Sequence, residues 1–394
     1  MKNSPLSLAP RAAALEPSPT MALSARARKL KAEGRDIVSL TAGDPDFATP
    51  ERVKEAAAAA IRGNFTRYTD NRGMPELLQA ISGKFQTENG LSWGPAEILV
   101  SCGAKHSIFN ALAALCGPGD EVLIPAPYWV SYPEMVRLVD ARPVILETPA
   151  PSFKLTADSL RAGMTPRSKA LILCSPSNPT GGVYSREELE ALGQVVAESG
   201  LAVISDEIYE KILFDGARAF SIGSIAAIKD RVITVNGVSK AFAMTGWRIG
   251  YMGGPREIVS AAETIQSQVT SNACSISQKA ALAALTLDLS GEIAEMVAEF
   301  DRRRRFLTRS FTELGLPFVE PKGAFYLFFD ARPWFRPGWA QSGGEFCERV
   351  LQDEGLALVP GEPFGAPGWA RLSYAAKMSD LEKAVERLSR ARKT

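Results

Sequence analysis

The chain has 394 residues, of which 46% are hydrophobic and 23% are charged, so its composition is that of a globular protein and its length favours two domains. Its 45 basic and 44 acidic side chains give a net charge of +1 without a basic stripe, which argues against a nucleic-acid partner. The proline-containing start has no apolar core of a secretory signal, and no stretch is apolar for long enough to span a bilayer. We therefore expect a cytoplasmic protein with no membrane partner.

The five cysteines and the single histidine give little support to a metal site. The cysteines are odd in number and form no Cys-x-x-Cys pair, which is typical of reduced thiols that mostly fill the core of a cytoplasmic protein. A histidine-based metal site or a Ser-His-Asp triad would depend on His106 alone. We expect no bound metal, and we expect His106 to be neutral and to lie behind the residues that contact substrate.

The predicted elements begin with a helix at about residues 21–33. Between about residues 97 and 254, short apolar strands alternate with amphipathic helices, which indicates a mostly parallel sheet with helices on both faces. In such sheets ligands bind at the carboxyl ends of the strands. The predicted strands are 97–102, 121–125, 142–147, 169–174, 201–205, 231–235 and 248–253, and the predicted helices are 105–116, 131–139, 186–199 and 255–269.

The C-terminal part of the chain has an α+β pattern and predicts a second, smaller domain, against which the N-terminal helix would pack. We assign residues 46–290 to the large domain and residues 1–45 with 291–394 to the small one. The run Arg302–Arg305 is interpreted as the solvated face of a charged helix. The predicted elements of this part are helices at 291–314, 343–354 and 379–392 and short strands near 324–330, 357–359 and 371–374.

A lysine, an aspartate and an arginine lie at or just beyond strand ends. Lys240 is on the turn after strand 231–235, Arg248 follows eight residues later, and Asp206 ends the preceding strand. A lysine with a lowered pKa can form a Schiff base and then move a proton, an aspartate can keep a pyridine nitrogen protonated, and an arginine can bind phosphate. An isolated lysine here would be a surface residue, but the three together are what pyridoxal phosphate requires.

A strand–helix turn and an arginine on a predicted strand have the features of anion sites. Gly103 to Lys105 link a predicted strand to a predicted helix, where backbone N–H groups can bind phosphate. The complete glycine-rich patterns of nucleotide sites are missing, which argues against a bound nucleotide. Arg371 offers a planar two-pronged donor for a substrate carboxylate, although a surface salt bridge explains it equally well.

Asn178 and Tyr209 are candidates for contacts with the cofactor ring. Asn178 lies in a turn rich in proline and glycine after strand 169–174 and can donate to a ring oxygen. Tyr209 follows Asp206 by three residues, about one helical turn, so both can face one ligand.

Five motifs carry a specific resemblance to a known family: residues 41–47, 127–134, 175–181, 205–209 and 236–251. Through nearly its whole length the sequence resembles a class I, fold-type I pyridoxal-phosphate aminotransferase. It is most similar to the bacterial and plant branch that handles aspartate, glutamate and, in some members, prephenate. The resemblance implies an α/β fold with a mostly parallel seven-stranded sheet, a smaller α+β domain, and a homodimer with shared active sites.

The resemblance also implies how pyridoxal phosphate is held. Lys240 would carry the cofactor as a Schiff base, and Asp206 would bind the ring nitrogen. The positions that match the family's ring contacts are Asn178, Tyr209 and Trp129. The positions that match its phosphate contacts are Gly103, Ala104, Lys105, Ser239 and Arg248, with Tyr68 reaching the phosphate from the other subunit.

For the substrate, the resemblance implies that Arg371, Asn178 and the backbone of Gly43 bind the α-carboxylate beside Trp129. The best-known aspartate aminotransferases bind the distal carboxylate with an arginine of the partner subunit, and residues 267–272 contain no counterpart. They also carry a hydroxyl residue where this chain has Gly237. In the branch that this chain resembles, a lysine and a threonine matching Lys105 and Thr20 take over the distal carboxylate.

The resemblance predicts ping-pong transamination between aspartate or glutamate and 2-oxo acids such as oxaloacetate and 2-oxoglutarate, and it leaves prephenate open. An aminotransferase for aromatic or other amino acids, a C–S lyase and a decarboxylase are alternatives that keep the cofactor. A ligand-sensing module would need a fused DNA-binding domain, which we do not expect here.

Overall fold

The computed structural model of the chain describes residues 7–17 and 19–392. Its strands are β1 (Val38–Ser39), β2 (Ile98–Ser101), β3 (Glu121–Pro125), β4 (Arg142–Leu146), β5 (Ser168–Cys174), β6 (Ala202–Asp206), β7 (Val232–Gly237), β8 (Gly250–Gly253), β9 (Tyr326–Asp330), β10 (Leu356–Ala357), β11 (Val359–Pro360) and β12 (Trp369–Ser373). Its α-helices are α1 (Pro10–Ala13), α2 (Pro19–Ala32), α3 (Glu51–Arg62), α4 (Pro75–Lys84), α5 (Ala104–Leu115), α6 (Ser131–Leu138), α7 (Ala157–Gly163), α8 (Arg186–Ser199), α9 (Arg256–Val269), α10 (Ser275–Thr286), α11 (Ser290–Leu314), α12 (Gly343–Glu354) and α13 (Met378–Ala391).

The central sheet has seven strands in the order β2-β8-β7-β6-β5-β3-β4. The strands run parallel except β8, which is antiparallel to both of its neighbours. Adjacent residues of a strand point to opposite faces, so Ile172 packs against the α5, α6 and α9 side while Leu171 and Leu173 pack against α7 and α8. The predicted fold class, a mostly parallel seven-stranded sheet covered on both faces, is confirmed.

A second core forms around the C-terminal elements. The antiparallel sheet β11-β12-β9 and the parallel pair β1-β10 pack with α11, α12 and α13. The N-terminal helix α2 contacts β10 and β11, as the sequence predicts. This core also includes Ile208 and Phe214, which follow β6. The division into residues 46–290 and residues 1–45 with 291–394 stays a prediction, and residues 1–6, 18 and 393–394 of it lie outside the described part.

The predicted helices and strands are present with shifted ends, and the structure contains further elements that the sequence did not predict. The predicted strand 357–359 is two short strands, β10 and β11. Strand β1 and helices α1, α3, α4, α7 and α10 were not predicted. The predicted strand 248–253 begins only at Gly250, because Arg248 has a left-handed backbone conformation with φ 56°, which is incompatible with an extended strand. No described helix is long and apolar enough to cross a membrane.

The interpretation of Arg302–Arg305 as a solvated face was wrong for its two central residues. Arg303 and Arg304 are 5% and 3% exposed. Arg303 donates to Asp46 at 2.7 Å, and Arg304 donates to Asp215 at 2.8 Å. Four consecutive helical residues span more than one turn, so two of them face the core, and their charge is retained there by carboxylate partners.

Candidate active site

A cavity of about 680 Å³ opens at the carboxyl ends of β5, β6 and β7, where a ligand is expected in such a sheet. Its walls are completed by helix α2, the loop after β1, and strands β9 and β12. The sequence-predicted residues that line it are Thr20, Gly43, Ala104, Lys105, Trp129, Asn178, Asp206, Tyr209, Ser239, Lys240, Arg248 and Arg371.

Lys240 lies on the turn after β7, and its side chain is open to the cavity. Its Nζ donates a hydrogen bond to the carbonyl oxygen of Gly43. Burial lowers the pKa of Lys240 to about 8, an effect that Asp44 and Asp206 oppose and Arg248 reinforces. A substantial fraction of this amine is therefore neutral near physiological pH and available as a nucleophile or base.

Asp206 is the last residue of β6 and is 4% exposed. One carboxylate oxygen accepts a hydrogen bond from Tyr132 Oη at 2.7 Å, and the other accepts one from the N–H of Ile208 at 3.2 Å. Burial raises the pKa of Asp206, while these two hydrogen bonds and the charge of Lys240 act in the opposite direction. A carboxylate held in this way can pair with a cationic nitrogen that enters the cavity.

Sequence analysis missed Tyr132, although it lies in the motif at 127–134. It is three residues after Trp129, at the start of α6, and the two rings meet edge to face with centroids 5.4 Å apart. Burial, followed by the nearby charge of Asp206, raises the pKa of Tyr132 well above its usual value, so its hydroxyl stays protonated and donates. The N–H of Tyr132 bonds to the carbonyl oxygen of Trp129 at 3.0 Å in the turn that leads into α6, and this three-residue spacing is the signal that could have found it.

The turn before α5 brings the N-terminus of a 12-residue helix next to a guanidinium. Gly103 has φ 91°, and a side chain on it would overlap the guanidinium of Arg248. Arg248 is held by the carbonyl oxygens of Thr245 at 2.8 Å and Cys102 at 3.3 Å. Free N–H groups and a fixed cation at one point make a site for an anion such as phosphate.

Lys105 follows in the first turn of α5 and faces the cavity. Its Nζ lies 4.7 Å from the centroid of the Trp129 ring, within the range of a cation–π contact. Burial lowers the pKa of Lys105, and the nearby charge of Arg248 lowers it further. Thr20 approaches the same cavity from α2.

Arg371 lies on β12 and is 3% exposed. Its Nη1 donates to Asn178 Oδ1 at 2.9 Å and its Nη2 donates to the carbonyl oxygen of Thr41 at 3.0 Å, but no described carboxylate pairs with it. The alternative of a surface salt bridge is therefore wrong. A buried cation without an anion is costly, so this guanidinium is suited to an anionic ligand.

Tyr209 bonds to Tyr326, a residue that sequence analysis missed. The two hydroxyl oxygens are 2.8 Å apart, and both side chains line the cavity beside Arg371. Tyr326 begins β9, far from every predicted motif, so only the tertiary structure brings it to the site.

Besides Gly103, which lies just behind the wall next to Ala104, three residues singled out in the sequence lie outside the cavity wall. Tyr68 is 90% exposed on the surface of this chain, so its predicted contact from a second subunit stays a prediction. His106 accepts a hydrogen bond from the N–H of Cys102 at 3.3 Å, and burial lowers the pKa of His106, so the ring is neutral. A Cβ on Gly237 would lie 3.0 Å from the Cα of Gly250, so a side chain here would require the neighbouring backbone to shift by a few tenths of an ångström.

Comparisons with known proteins show the family to which the chain belongs. The family described as aminotransferase class I and II matches residues 35–388, and the chain belongs to it. The predicted class of enzyme, an aminotransferase, is thereby confirmed.

The chain is similar to named members of that family over almost its full length. It is 50% identical to a bifunctional aspartate aminotransferase and glutamate/aspartate-prephenate aminotransferase of Petunia hybrida, covering 98% of this chain and 83% of that one. It is 46% identical to an aspartate/prephenate aminotransferase of Nitrosomonas europaea, covering 98% and 99%.

The fold of the chain is also similar to that of solved aspartate aminotransferases. The aspartate aminotransferase of Thermus thermophilus with maleate superimposes with a TM-score of 0.94 at 45% identity, covering 98% of this chain and all of that one. The aspartate aminotransferase of Rhizobium meliloti superimposes with a TM-score of 0.95 at 41% identity, covering 98% and 99%.

Proposed function

We propose that this aminotransferase uses pyridoxal phosphate to exchange amino groups between aspartate or glutamate and 2-oxo acids such as oxaloacetate and 2-oxoglutarate. The observation that carries the proposal is the convergence of Lys240, Asp206 and Arg371 on one cavity. A reactive amine, a buried carboxylate and an unpaired buried guanidinium match the aldehyde, the ring nitrogen and the substrate carboxylate that the reaction brings together.

The residues present fit the cofactor. The phosphate would lie beside Arg248, where the absence of a side chain on Gly103 leaves space. Ala104 and Ser239 line the same part of the cavity. Asp206 suits a protonated ring nitrogen. When bound, pyridoxal phosphate supplies an aldehyde for Schiff-base formation and a ring that withdraws electrons from the substrate Cα.

The remaining groups of the ring site have distinct roles. Asn178 uses its carbonyl oxygen to hold Arg371, which leaves its amide nitrogen to donate to the ring hydroxyl. Tyr209 would contact the same hydroxyl, and its bond to Tyr326 fixes the direction of its own hydroxyl. Trp129 would offer its aromatic surface to the ring.

For the substrate, Arg371 binds the α-carboxylate in a two-pronged contact. The backbone of Gly43 lines the same cavity and would face the α-carboxylate. Once Lys240 is released from its hydrogen bond to the Gly43 carbonyl oxygen, its amine moves the proton at the substrate Cα. Because the pKa of Lys240 is about 8, its amine can both accept and return a proton near neutral pH.

The distal carboxylate of the substrate binds Lys105 and Thr20. Both line the cavity on the side of Trp129 and α2. The relatives are named for aspartate, glutamate and prephenate, and the Thermus thermophilus enzyme was crystallised with maleate, a dicarboxylate. These names support dicarboxylic substrates for this chain and make prephenate the second candidate.

We also infer that the protein is a cytoplasmic homodimer with shared active sites. Tyr68, Ile61 and Val269 are large side chains that are exposed on the single chain, at 90%, 55% and 61%. Exposed apolar and aromatic side chains of this kind are suited to a subunit interface.

A half-reaction screen tests the proposed function. The purified protein with bound cofactor is mixed with one amino acid at a time, and loss of the cofactor's absorbance band is followed. The amine form of the enzyme is then mixed with oxaloacetate, 2-oxoglutarate or prephenate. Fast conversion by aspartate and glutamate is expected, whereas steady release of pyruvate or ammonia without a 2-oxo acid would instead indicate a lyase.

The Lys240→Ala variant is the matched control for that screen. It should lose both half-reactions, because Lys240 supplies the amine that follows β7 and lines the cavity beside Asp206. It should keep its fold. Borohydride reduction of the wild-type holoenzyme followed by peptide mapping should label Lys240. A label on Lys105 or on another lysine would contradict the assignment.

The Lys105→Ala variant tests the distal contact. It should weaken kcat/KM for aspartate, glutamate and prephenate more than for phenylalanine, by about 1.5–3 kcal/mol for a lost charged hydrogen bond. Lys105 also lies in the first turn of α5, so cofactor affinity is measured separately. Equal losses for aspartate and phenylalanine with saturating cofactor would refute the distal role.

A further inference from the structure

Among the described residues that line the cavity, five have cationic side chains, and the proposed function uses four of them. Lys240 and Arg248 serve the cofactor, Arg371 binds the α-carboxylate, and Lys105 binds the distal carboxylate. The fifth is Arg28, which lies on α2 and which sequence analysis did not single out.

Arg28 lies on the same face of α2 as the predicted distal contact. Thr20, Ser24 and Arg28 recur every four residues and all line the cavity. The helix advances about 12 Å between the first and the third of them, but side chains lean towards the N-terminus of a helix. A long arginine side chain on this face can therefore reach back over the turns that carry Ser24 and Thr20.

This face of α2 is fixed to the wall of the cavity. Ser24 Oγ bonds to the carbonyl oxygen of Thr20 at 2.9 Å and to Thr41 Oγ1 at 2.8 Å. The carbonyl oxygen of Thr41 in turn accepts a hydrogen bond from Arg371 at 3.0 Å. A short chain of contacts thus links the cavity face of α2 to the residue that binds the α-carboxylate.

Arg28 has no hydrogen bond or ion pair with any other described residue, although its side chain is exposed to solvent and the cavity. Its neighbour Arg26, two residues earlier, makes a two-pronged ion pair with Glu348 away from the cavity. Apart from Asp206, Asp44 is the one carboxylate among the described residues that line the cavity, and it forms no ion pair with Arg28. The guanidinium of Arg28 is therefore available for an anion that enters from solution.

We propose that Arg28 is a specificity-determining residue that binds the distal carboxylate of dicarboxylic substrates together with Thr20 and Lys105. This inference rests on the proposed function. Lys105 contributes a point charge, whereas a guanidinium adds a planar fork that matches a carboxylate. Arg28 would thus supply from within the chain the two-pronged contact that residues 267–272 lack.

The test compares two non-reactive acids of equal length, succinate and butyrate, which differ by one distal carboxylate. Their dissociation constants are measured by calorimetry on the holoenzyme, for wild type, Arg28→Gln, Arg28→Lys and the matched control Arg26→Gln. In Arg28→Gln the preference for succinate over butyrate should fall by about tenfold, the lower end of the range for a charged hydrogen bond because the side chain is partly solvated. Arg28→Lys should recover part of the preference, since it restores the charge without the fork.

Kinetics provide a second readout on the same variants. The kcat/KM for glutamate should fall by about tenfold in Arg28→Gln, mainly through a higher KM, because the contact is lost in ground state and transition state alike. Arg26→Gln should retain the wild-type preference, since Arg26 faces Glu348 instead of the cavity.

The outcomes separate this inference from the proposed function. If wild type binds succinate no more tightly than butyrate, the assignment of dicarboxylic substrates fails. If wild type prefers succinate and Arg28→Gln keeps that preference, only the role of Arg28 fails. An equal loss in Arg26→Gln would also overturn the role of Arg28, because a general charge effect of α2 would then explain both variants.

Discussion

At the scale of single residues, the reactivity of Lys240 depends on opposing electrostatic effects. Burial disfavours the ammonium form, and the charges of Arg248 and Arg371 act in the same direction. Asp44 and Asp206 favour the ammonium form. The result is a pKa of about 8, well below the ordinary value of 10.5 for a lysine.

The pH dependence of labelling at Lys240 follows from this pKa. Only the neutral amine reacts, so labelling of the cofactor-free protein should rise as pH increases through about 8. Peptide mass mapping after brief exposure to an amine reagent measures the midpoint. In Asp44→Asn the midpoint should move lower, because Asp44 raises this pKa, and an upward move would contradict the assignment.

The pair of Asp206 and Tyr132 gives a second residue-scale prediction. Asp206→Asn should slow the half-reaction by about a thousandfold or more, because a neutral amide cannot hold the ring nitrogen protonated. Tyr132→Phe should slow it by about tenfold, the cost of one hydrogen bond to a buried charge. Rapid mixing with aspartate measures both rates.

Tyr128→Phe is the control for that pair. Tyr128 precedes the same helix and is only half-buried, and it makes no contact with Asp206. Its loss should leave the half-reaction within about twofold of wild type. Similar rates for Tyr132→Phe and wild type would show that the bond to Asp206 does not contribute.

At the scale of secondary-structure elements, the phosphate site depends on the close approach of β8 to the start of α5. A side chain on Gly250 would overlap the backbone nitrogen of Ala104, and one on Gly103 would overlap Arg248. Backbone atoms cannot move aside as a flexible side chain can. The two glycines therefore let the strand and the helix terminus meet at the place where phosphate is expected.

Gly250→Ala should consequently lower the free energy of unfolding by about 3 kcal/mol or more and weaken cofactor binding, since overpacking against backbone is costly. Urea denaturation and cofactor titration measure the two effects. Gly291→Ala in α11 is the control, because nothing lies within 4 Å of its Cβ position, and it should be neutral or stabilising by up to about 1 kcal/mol. A stable Gly250→Ala variant with normal cofactor affinity would contradict the close approach.

At the scale of the whole molecule, the cavity is assembled from distant parts of the chain. Its walls include Thr20 from α2, Lys240 after β7 and Arg371 from β12. The expected contribution of Tyr68 would come from a second copy. If the chain supplies Lys240 to its own site and Tyr68 to the site of a second copy, as we propose, two different inactive variants should complement one another.

A mixture of Tyr68→Ala and Lys240→Ala chains tests this sharing. Each variant alone should be nearly inactive at limiting cofactor, but half of the dimers in an equal mixture contain both chains and one intact site. About a quarter of wild-type activity per chain should therefore return after refolding or subunit exchange. No recovery, with dimers demonstrated by ultracentrifugation, would contradict a shared site.

The sequence by itself determined the alternation of strands and helices in the seven-stranded sheet, since fully buried parallel strands give continuous apolar runs. It also placed Lys240 and Asp206 at the carboxyl ends of predicted strands, which meet at one edge of such a sheet. Local pattern could not show whether Arg371 was buried or paired on the surface. Nor could it show that Arg303 and Arg304 would face the core.

Only the tertiary structure decided the contacts between residues far apart in the chain. The bond of Tyr132 to Asp206 spans 74 residues, and the bond of Tyr209 to Tyr326 spans 117. Arg28 itself carries no local signal for a ligand, and it reaches the cavity because α2 packs against β10 and β11. Periodicity fixes which face of an element is apolar, but which distant element it meets depends on how all the faces pack together.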